Sequence, residues 1–322
     1  MPRAIRIHQY GGPEVLQYDE VDIDEPGPGE VRLRQKAIGI NYIDTYQRTG
    51  LYKLPALPAV LGLEGAGEVT DVGANVTDLK VGDRVAYASC PGGYAEERLA
   101  PANRLVKLPD AIAYETGAAM MLQGMTVRYL LRETYKVGPE TTLLFHAAAG
   151  GVGLMASQWA KALGATMIGT VSSKEKADLA LASGCTHVID YMSEDFVARV
   201  KEITDGKGCD VVYDSIGKDT FQGSLDCLKP KGLLVSFGNA SGPVPPFELN
   251  MLKGSLFVTR PSLFAYTETR EDLLTNANDL FQMVTTGKLK IAVNHTYPLK
   301  YAARAHQDLE ARKTTGSIIL TP

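Results

Sequence analysis

The sequence predicts an α/β protein of two domains, one a doubly wound parallel sheet that binds a dinucleotide, the other rich in short strands. Three observations carry this. An apolar stretch at 141–145 runs into His146-Ala-Ala-Ala-Gly-Gly-Val-Gly153 and then into an apolar helical segment at 154–163, which reads as strand, glycine turn and helix. Strand and helix patterns then alternate until about residue 260, as crossover units of a parallel sheet do. The chain has 322 residues, more than a single domain usually takes.

The elements follow in order. Residues 4–10, 30–37 and 67–72 alternate or nearly alternate apolar and polar side chains, and turns at Gly11-Gly12-Pro13, Pro26-Gly-Pro-Gly29 and Gly82-Asp83 separate such runs. They form a β-rich, partly closed domain. Helical spacing begins near residue 113 and runs through 115–122 and 126–131. After the glycine turn come a strand at 164–171, a helix at 174–183, a strand at 187–190, a helix at 196–203 and a strand at 209–214. A helix at 221–228 and a strand at 232–237 follow. An apolar edge strand is expected at 254–259, helices at 270–286 and 303–311, and a last strand at 316–321 placed to rejoin the first domain. The expected division is residues 1–124 with 263–322 for one domain and 125–262 for the dinucleotide-binding one.

The glycine turn points to the cofactor. Gly150, Gly151 and Gly153, with Ala149 and Val152 between and beside them, let the backbone approach a pyrophosphate held on the helix N-terminus. An NAD site usually ends its second strand in Asp or Glu, which takes the ribose 2′-hydroxyl. Here that end carries Val171 and Ser172, followed by Ser173, Lys174 and Lys176. Two hydroxyls and two lysines, where a carboxylate would repel phosphate, suit a 2′-phosphate, so the cofactor expected is NADPH, with Lys176 as the main contact. The plainer account of the same residues is a helix cap at Ser172 and Ser173 with solvated lysines beyond it.

Composition bounds the partners. A formal net charge of −4 and the absence of any long Lys/Arg block argue against nucleic acid and against a membrane surface. No 18-residue apolar stretch occurs and residues 1–8 have no apolar signal core, so a cytoplasmic protein is expected. Cys90, Cys185, Cys209 and Cys227 lie far apart with no Cys-x-x-Cys pair, which fits a reducing compartment and offers no metal-finger spacing. His146 reads as a hydrogen-bonded strand residue rather than a catalyst, and no Ser-His-Asp arrangement is evident.

Six separated motifs occur in one order: Gly11-Gly-Pro-Glu-Val-Leu16, Gly39-Ile-Asn-Tyr-Ile-Asp-Thr-Tyr46, Gly62-Leu-Glu-Gly-Ala-Gly-Glu-Val69, Val81-Gly-Asp-Arg-Val85, Ala148-Ala-Gly-Gly-Val-Gly153 and Gln158-Trp-Ala-Lys161. Over essentially its whole length the chain resembles the quinone oxidoreductase (zeta-crystallin-like) branch of the medium-chain dehydrogenase/reductase superfamily. The resemblance implies a GroES-like catalytic domain beside the Rossmann domain. It also exposes departures. Zinc alcohol dehydrogenases have Cys near the position of Asn41 and His within a Gly-His-Glu triplet, where this chain has Gly62-Leu63-Glu64; the four-cysteine structural lobe is missing too. No metal is therefore expected, and the acceptor should already be electrophilic, such as a quinone or an activated double bond.

By the same resemblance Asn41, Tyr46 and Tyr52 face the nicotinamide and offer donors to a quinone or enone oxygen. They could equally satisfy neighbouring backbone groups. Tyr191 is implied on the adenosine side, and Ser215, Phe237, Gly238 and Asn239 lie at carboxyl ends of successive strands, where open α/β sheets bind ligands. Thr126 and Tyr129 begin a helix that could reach the pyrophosphate or the nicotinamide ribose, or pack in its core. Arg260 and Ser262 could line the nicotinamide end, and Arg312 either adds charge at the 2′-phosphate or is exposed. The edge strand near 254–259 invites pairing with a second copy, so a homodimer through the cofactor domain is expected. The activity implied is NADPH-dependent reduction of a quinone; an alkenal or enone reductase and a non-enzymatic NADPH- or RNA-binding crystallin-like protein are the alternatives.

Overall fold

The computed structural model describes all residues, 1–322. Two compact units divide it: Met1–Met125 with Thr267–Thr285 and Ile291–Pro322, and Thr126–Tyr266 with Thr286–Lys290. The short return at 286–290 belongs to the second unit because Gln158 grips Lys290 from both sides, its amide donating to the Lys290 carbonyl at 3.0 Å and accepting from the Lys290 N–H at 2.8 Å.

The first unit is built on two sheets. In the larger, Val293–Pro298, Ser317–Thr321, Glu30–Ile40, Glu64–Val72, Arg84–Tyr87 and Val106–Lys107 lie side by side in that order, and Glu97–Pro101 also pairs with Glu30–Ile40. The C-terminal strand does rejoin this domain, running antiparallel to Glu30–Ile40 with Ile319 opposite Gly39. A smaller antiparallel sheet joins Gln17–Glu20, Arg3–Ile7 and Ala59–Val60. Ile5, Ile7, Ile38, Ile40, Leu61, Ile318 and Leu320 meet in one core between these strands and the helix Ala302–Glu310. Period-2 alternation put these side chains on one face.

The second unit is a six-stranded, wholly parallel sheet: His187–Asp190, Thr166–Val171, Thr142–Phe145, Cys209–Asp214, Leu228–Ser236 and Phe257–Thr259. Its chain order reverses direction at Thr142–Phe145, the switch point where such sheets bind ligands. The central strands are buried on both faces, hence their continuous apolar runs. Helices Gly151–Ala162, Lys174–Ala182, Phe196–Ile203 and Phe221–Asp226 connect the strands.

Two expectations are corrected. The helical stretches near 115–122 and 126–131 are one helix, Tyr114–Tyr129, closed by a π turn at Leu130–Thr134. The edge strand is only Phe257–Thr259, because Gly254 and Ser255 adopt left-handed conformations (φ 82° and 61°) that end any extended run. Phe257, on that edge, is 60% exposed.

Candidate functional site

In the first unit the long strand Glu30–Ile40 delivers Asn41 to the N-cap of the helix Tyr42–Thr49. The Asn41 N–H donates to Asp44 Oδ2 at 2.8 Å, half of a capping box. The Asn41 side chain turns elsewhere. Its Nδ2 donates to Glu64 Oε2 at 2.7 Å, and its Oδ1 accepts from Gln123 Nε2 at 3.1 Å. Gln123 Oε1 in turn accepts from the Ser317 hydroxyl at 2.9 Å. Glu64 Oε1 accepts from the main-chain N–H of Leu122, at 2.7 Å, within the helix Tyr114–Tyr129. Gly39 makes room for this: a Cβ there would lie 2.3 Å from the Ala118 carbonyl and 2.4 Å from Glu64 Oε2. All of these side chains are buried.

A second buried chain runs from Asp44. Its Oδ2 accepts the Tyr94 hydroxyl at 2.8 Å; Tyr94 lies 3.0 Å from His306 Nε2, and His306 Nδ1 lies 3.0 Å from Arg48 Nη1. A guanidinium can only donate, so Nδ1 accepts, Nε2 carries the proton and donates to Tyr94, and Tyr94 donates to Asp44. Arg48 also holds Glu310 through two bonds, at 2.7 and 3.0 Å. Burial dictates the protonation. It pushes Glu64 up to about 8, against the pull of the Asn41 and Leu122 donors, and Asp44 up to about 7. Burial, with the Arg48 charge alongside, pushes His306 down to about 3.

Tyr46 is buried and Tyr52 half-buried, their rings edge-on at 5.2 Å and 66°, and the Tyr52 N–H donates to the Tyr46 carbonyl at 3.0 Å. Tyr42 lies 6.2 Å from Tyr46 on the same helix. Arg312 is exposed and left-handed (φ 57°) after the helix Ala302–Glu310. Leu63 and Asn41 present an aliphatic chain and a carboxamide at the two positions where zinc dehydrogenases have His and Cys; buried Leu63 has no donor atom. Cys90 is engaged by Arg98, whose guanidinium donates to its Sγ at 3.3 Å and its carbonyl at 3.0 Å. No group of three or more His, Cys, Asp or Glu is placed to hold a metal.

In the second unit the cradle leaves the end of Thr142–Phe145, and Gly150 caps the helix Gly151–Ala162. Ala147 is left-handed (φ 57°), and a Cβ at Gly153 would meet the Ala147 carbonyl at 2.4 Å and Ala148 Cα at 2.6 Å. The turn is therefore folded tightly onto its own helix, leaving the helix N-terminus for an anion. Beneath it lies His146, fully buried, with Nδ1 3.0 Å from the Thr170 hydroxyl and Nε2 3.0 Å from the Ser224 hydroxyl, which donates to Asp214 Oδ2 at 2.8 Å. Asp214, Ser224 and His146 thus meet, but Ser224 spends its proton on the carboxylate and no solvent reaches it. They tie the ends of three strands together.

Beyond Val171 the helix cap of the plainer account is present, at Ser173. Ser173 caps the helix Lys174–Ala182 by accepting the Lys176 N–H at 3.3 Å, while Lys176 Nζ donates to Ser172 at 3.2 Å. Tyr191, exposed, follows the adjacent strand and its N–H donates to the Val171 carbonyl at 3.1 Å. Ser215 and Phe237 to Asn239 follow neighbouring strands; Phe237 N–H donates to the Asp214 carbonyl at 2.8 Å, and Arg260 Nη1 to the carbonyls of Ser236 at 3.0 Å and Gly238 at 3.2 Å. Ser262 is exposed at the start of Leu263–Tyr266. Thr126 is buried, as is Tyr129, whose ring stacks on Tyr266 at 4.4 Å and 7°. Gln123, Ser317, Tyr94, Arg48 and His306 belong to these buried networks and are not signalled by any local motif. Asp44, three residues after Asn41, was signalled by the capping-box spacing.

Comparison with known proteins matches residues 27–110 to the alcohol dehydrogenase GroES-like domain and 151–282 to the zinc-binding dehydrogenase family. A curated quinone oxidoreductase of Pseudomonas aeruginosa is 57% identical over 325 residues, covering 100% of both chains. The chain belongs to the quinone oxidoreductase family. Within that family the crystal structure of the Escherichia coli quinone oxidoreductase complexed with NADPH superposes with a TM-score of 0.98 at 52% identity, covering 99% of this chain and 100% of that one. A Burkholderia relative named 2-haloacrylate reductase is 47% identical, covering 100% of this chain and 99% of its own length.

Proposed function

We propose that this chain is an NADPH-dependent quinone reductase. The observation that carries the cofactor half is the end of the strand Thr166–Val171, where Ser172, Ser173 and Lys176 converge and the strand-end position carries Ser172 in place of an acidic residue. The full-length likeness to quinone oxidoreductases, one of them described with NADPH, supports the same reading. The cofactor, when bound, supplies the hydride. The chain supplies the rest. The turn Ala149–Gly153 and the helix behind it would hold the pyrophosphate, with Thr126, Tyr129, Tyr191, Ser215, Phe237, Gly238, Asn239, Arg260, Ser262 and Arg312 as further contacts. Asn41, Tyr46 and Tyr52 would donate hydrogen bonds to the acceptor oxygen on which charge develops. Residues 1–124 with 263–322 form the catalytic domain in this reading and 125–262 the cofactor domain.

With an amide at position 41 and an aliphatic chain at 63, the reaction is assigned to an acceptor that needs no Lewis acid. No helix is long and apolar enough to cross a membrane; a cytoplasmic homodimer, joined through the cofactor domain, completes the proposal. Stopped-flow oxidation of NADPH against a panel of quinones and conjugated enals, after prolonged chelation, tests it. Fast turnover of 1,4-benzoquinone and slow turnover of the enals is the expected result. Reduction of enals alone would transfer the assignment to a double-bond reductase, and activity abolished by chelation would overturn the metal-free reading.

A further inference from the structure

We infer that Glu64 and Gln123 are positioning residues that fix which way the Asn41 carboxamide faces, and so keep one of its N–H groups available to the quinone oxygen. The inference rests on the assignment of Asn41 as an acceptor-binding donor. An Asn amide is a hybrid of donor and acceptor ends that are nearly equal in shape, so its direction is set by its neighbours. Here the neighbours form an ordered relay. Glu64 offers oxygen to Asn41 Nδ2 at 2.7 Å, Asn41 Oδ1 receives Gln123 Nε2 at 3.1 Å, and Gln123 Oε1 receives the Ser317 hydroxyl at 2.9 Å. Each amide points the same way along the series because both Glu64 oxygens accept, from Asn41 and from Leu122, and above pH 8, where the carboxyl is ionised, Glu64 has no proton to donate.

In the ionised form the second Glu64 oxygen makes the direction obligatory. It accepts the main-chain N–H of Leu122 at 2.7 Å, a donor that cannot rotate away. A glutamine at 64 has one oxygen, which that N–H would claim, leaving its NH2 group facing the Asn41 NH2 group. Two donors cannot share a bond, so Asn41 would rotate, Gln123 would follow, and Ser317 would turn its proton wholly to the Ala119 carbonyl, 3.1 Å away. Such a flip keeps the relay satisfied and the fold intact. It moves the spare Asn41 N–H to the other side of the amide. Bonds to Glu64 and Gln123 use one Nδ2 hydrogen and the carbonyl oxygen, so that spare N–H is the donor left for a ligand.

The test compares, at a pH above 8 where Glu64 is ionised, the unmodified protein with Asn41→Ala, Glu64→Gln and the double variant, measuring kcat and KM for 1,4-benzoquinone, the dissociation constant for NADPH and the melting temperature. Asn41→Ala and Glu64→Gln should each lower kcat/KM for benzoquinone by about tenfold or more, the scale of one lost donor at a developing oxyanion, with NADPH affinity unchanged. In the Asn41→Ala background, Glu64→Gln should add nothing, since residues acting through one another are not additive. A purely structural Glu64 would instead cost the same factor in both backgrounds, and that result would overturn the inference while leaving Asn41 as a donor. Full activity of Asn41→Ala would remove the donor assignment itself. Gln123→Met serves as a second probe should Glu64→Gln fail to fold: it should impair the unmodified protein and leave Asn41→Ala unaffected, and full activity of Gln123→Met alone would refute the positioning role.

Discussion

His306 is held neutral in the interior, and its replacement should change how stability responds to acid. The ring has no exposed surface, sits edge-on to Tyr94 at 5.8 Å and 89°, and accepts from a guanidinium that opposes its protonation. Its pKa of about 3 lies below the ordinary 6.5. A group whose folded pKa is depressed by burial of its neutral form contributes stability above the unfolded value, and that contribution is lost as pH falls from 6.5 towards 3. At about 1.4 kcal/mol for each tenfold in proton activity, the loss between pH 6.5 and 4 is roughly 3 kcal/mol. Glu64 and Asp44 act oppositely: their raised pKa values favour the folded state at low pH and cost stability as pH rises through about 7 and 8. Comparison with His306→Gln cancels the carboxyl contributions, because Gln can accept from Arg48 and donate to Tyr94 without titrating. Urea unfolding at pH 4, 5, 6 and 7 should show the variant weaker at pH 7 and overtaking the unmodified protein as pH falls. Far-ultraviolet circular dichroism or tyrosine signals should be used, since the single tryptophan, Trp159, lies in the other unit. A stability difference constant across that range would refute the neutral-histidine reasoning.

Lys176→Ala should erode a preference for NADPH over NADH by about tenfold or more, the size of a lost charge-assisted contact of roughly 1.5–3 kcal/mol; equal dissociation constants for the two cofactors before mutation would remove the 2′-phosphate assignment. Phe257→Lys should weaken self-association by an amount on the order of 1.5–3 kcal/mol, the burial of one large side chain, measurable as a shift in the monomer–dimer equilibrium by sedimentation. A dimer indifferent to that change would place the contact away from the edge strand, and a monomer at all concentrations would end the proposal.

The second unit was the more legible half because its elements are bounded by local signals. The helix Phe196–Ile203 begins where the Asp195 carboxylate accepts the N–H groups of Val197 and Ala198, and the strand Cys209–Asp214 is an uninterrupted buried run; both lie where the pattern put them. The strand Val293–Pro298 lacks a clear apolar alternation because polar His295 takes an inward position between the exposed Asn294 and Thr296. The merging of two helical stretches into Tyr114–Tyr129 was hidden by Gly124, whose place in the helix is explained only by Leu280 packing where a Cβ would be, at 2.5 Å.

The site divides along the same line. Asn41, Tyr46, the glycine turn and Ser172 to Lys176 stand in motifs whose parts are adjacent in the chain; the resemblance implies the roles of Asn41 and Tyr46, and the residues themselves those of the turn and the serine–lysine cluster. The relay that orients Asn41 runs through positions 64, 41, 123 and 317, its successive links spanning 23, 82 and 194 residues. No periodicity or spacing rule relates such positions; only the closing of the sheet by Ser317–Thr321 against Glu30–Ile40 brings the last of them within reach. Motifs therefore reveal which groups are candidates for a reaction, whereas the direction in which a symmetric-looking amide faces is decided by acceptors and donors that tertiary structure delivers. The same holds for His306, whose neutrality follows from Arg48 and Tyr94 meeting it across 258 and 212 residues of chain. An isolated histidine in a helical segment carries no trace of that environment in its own sequence.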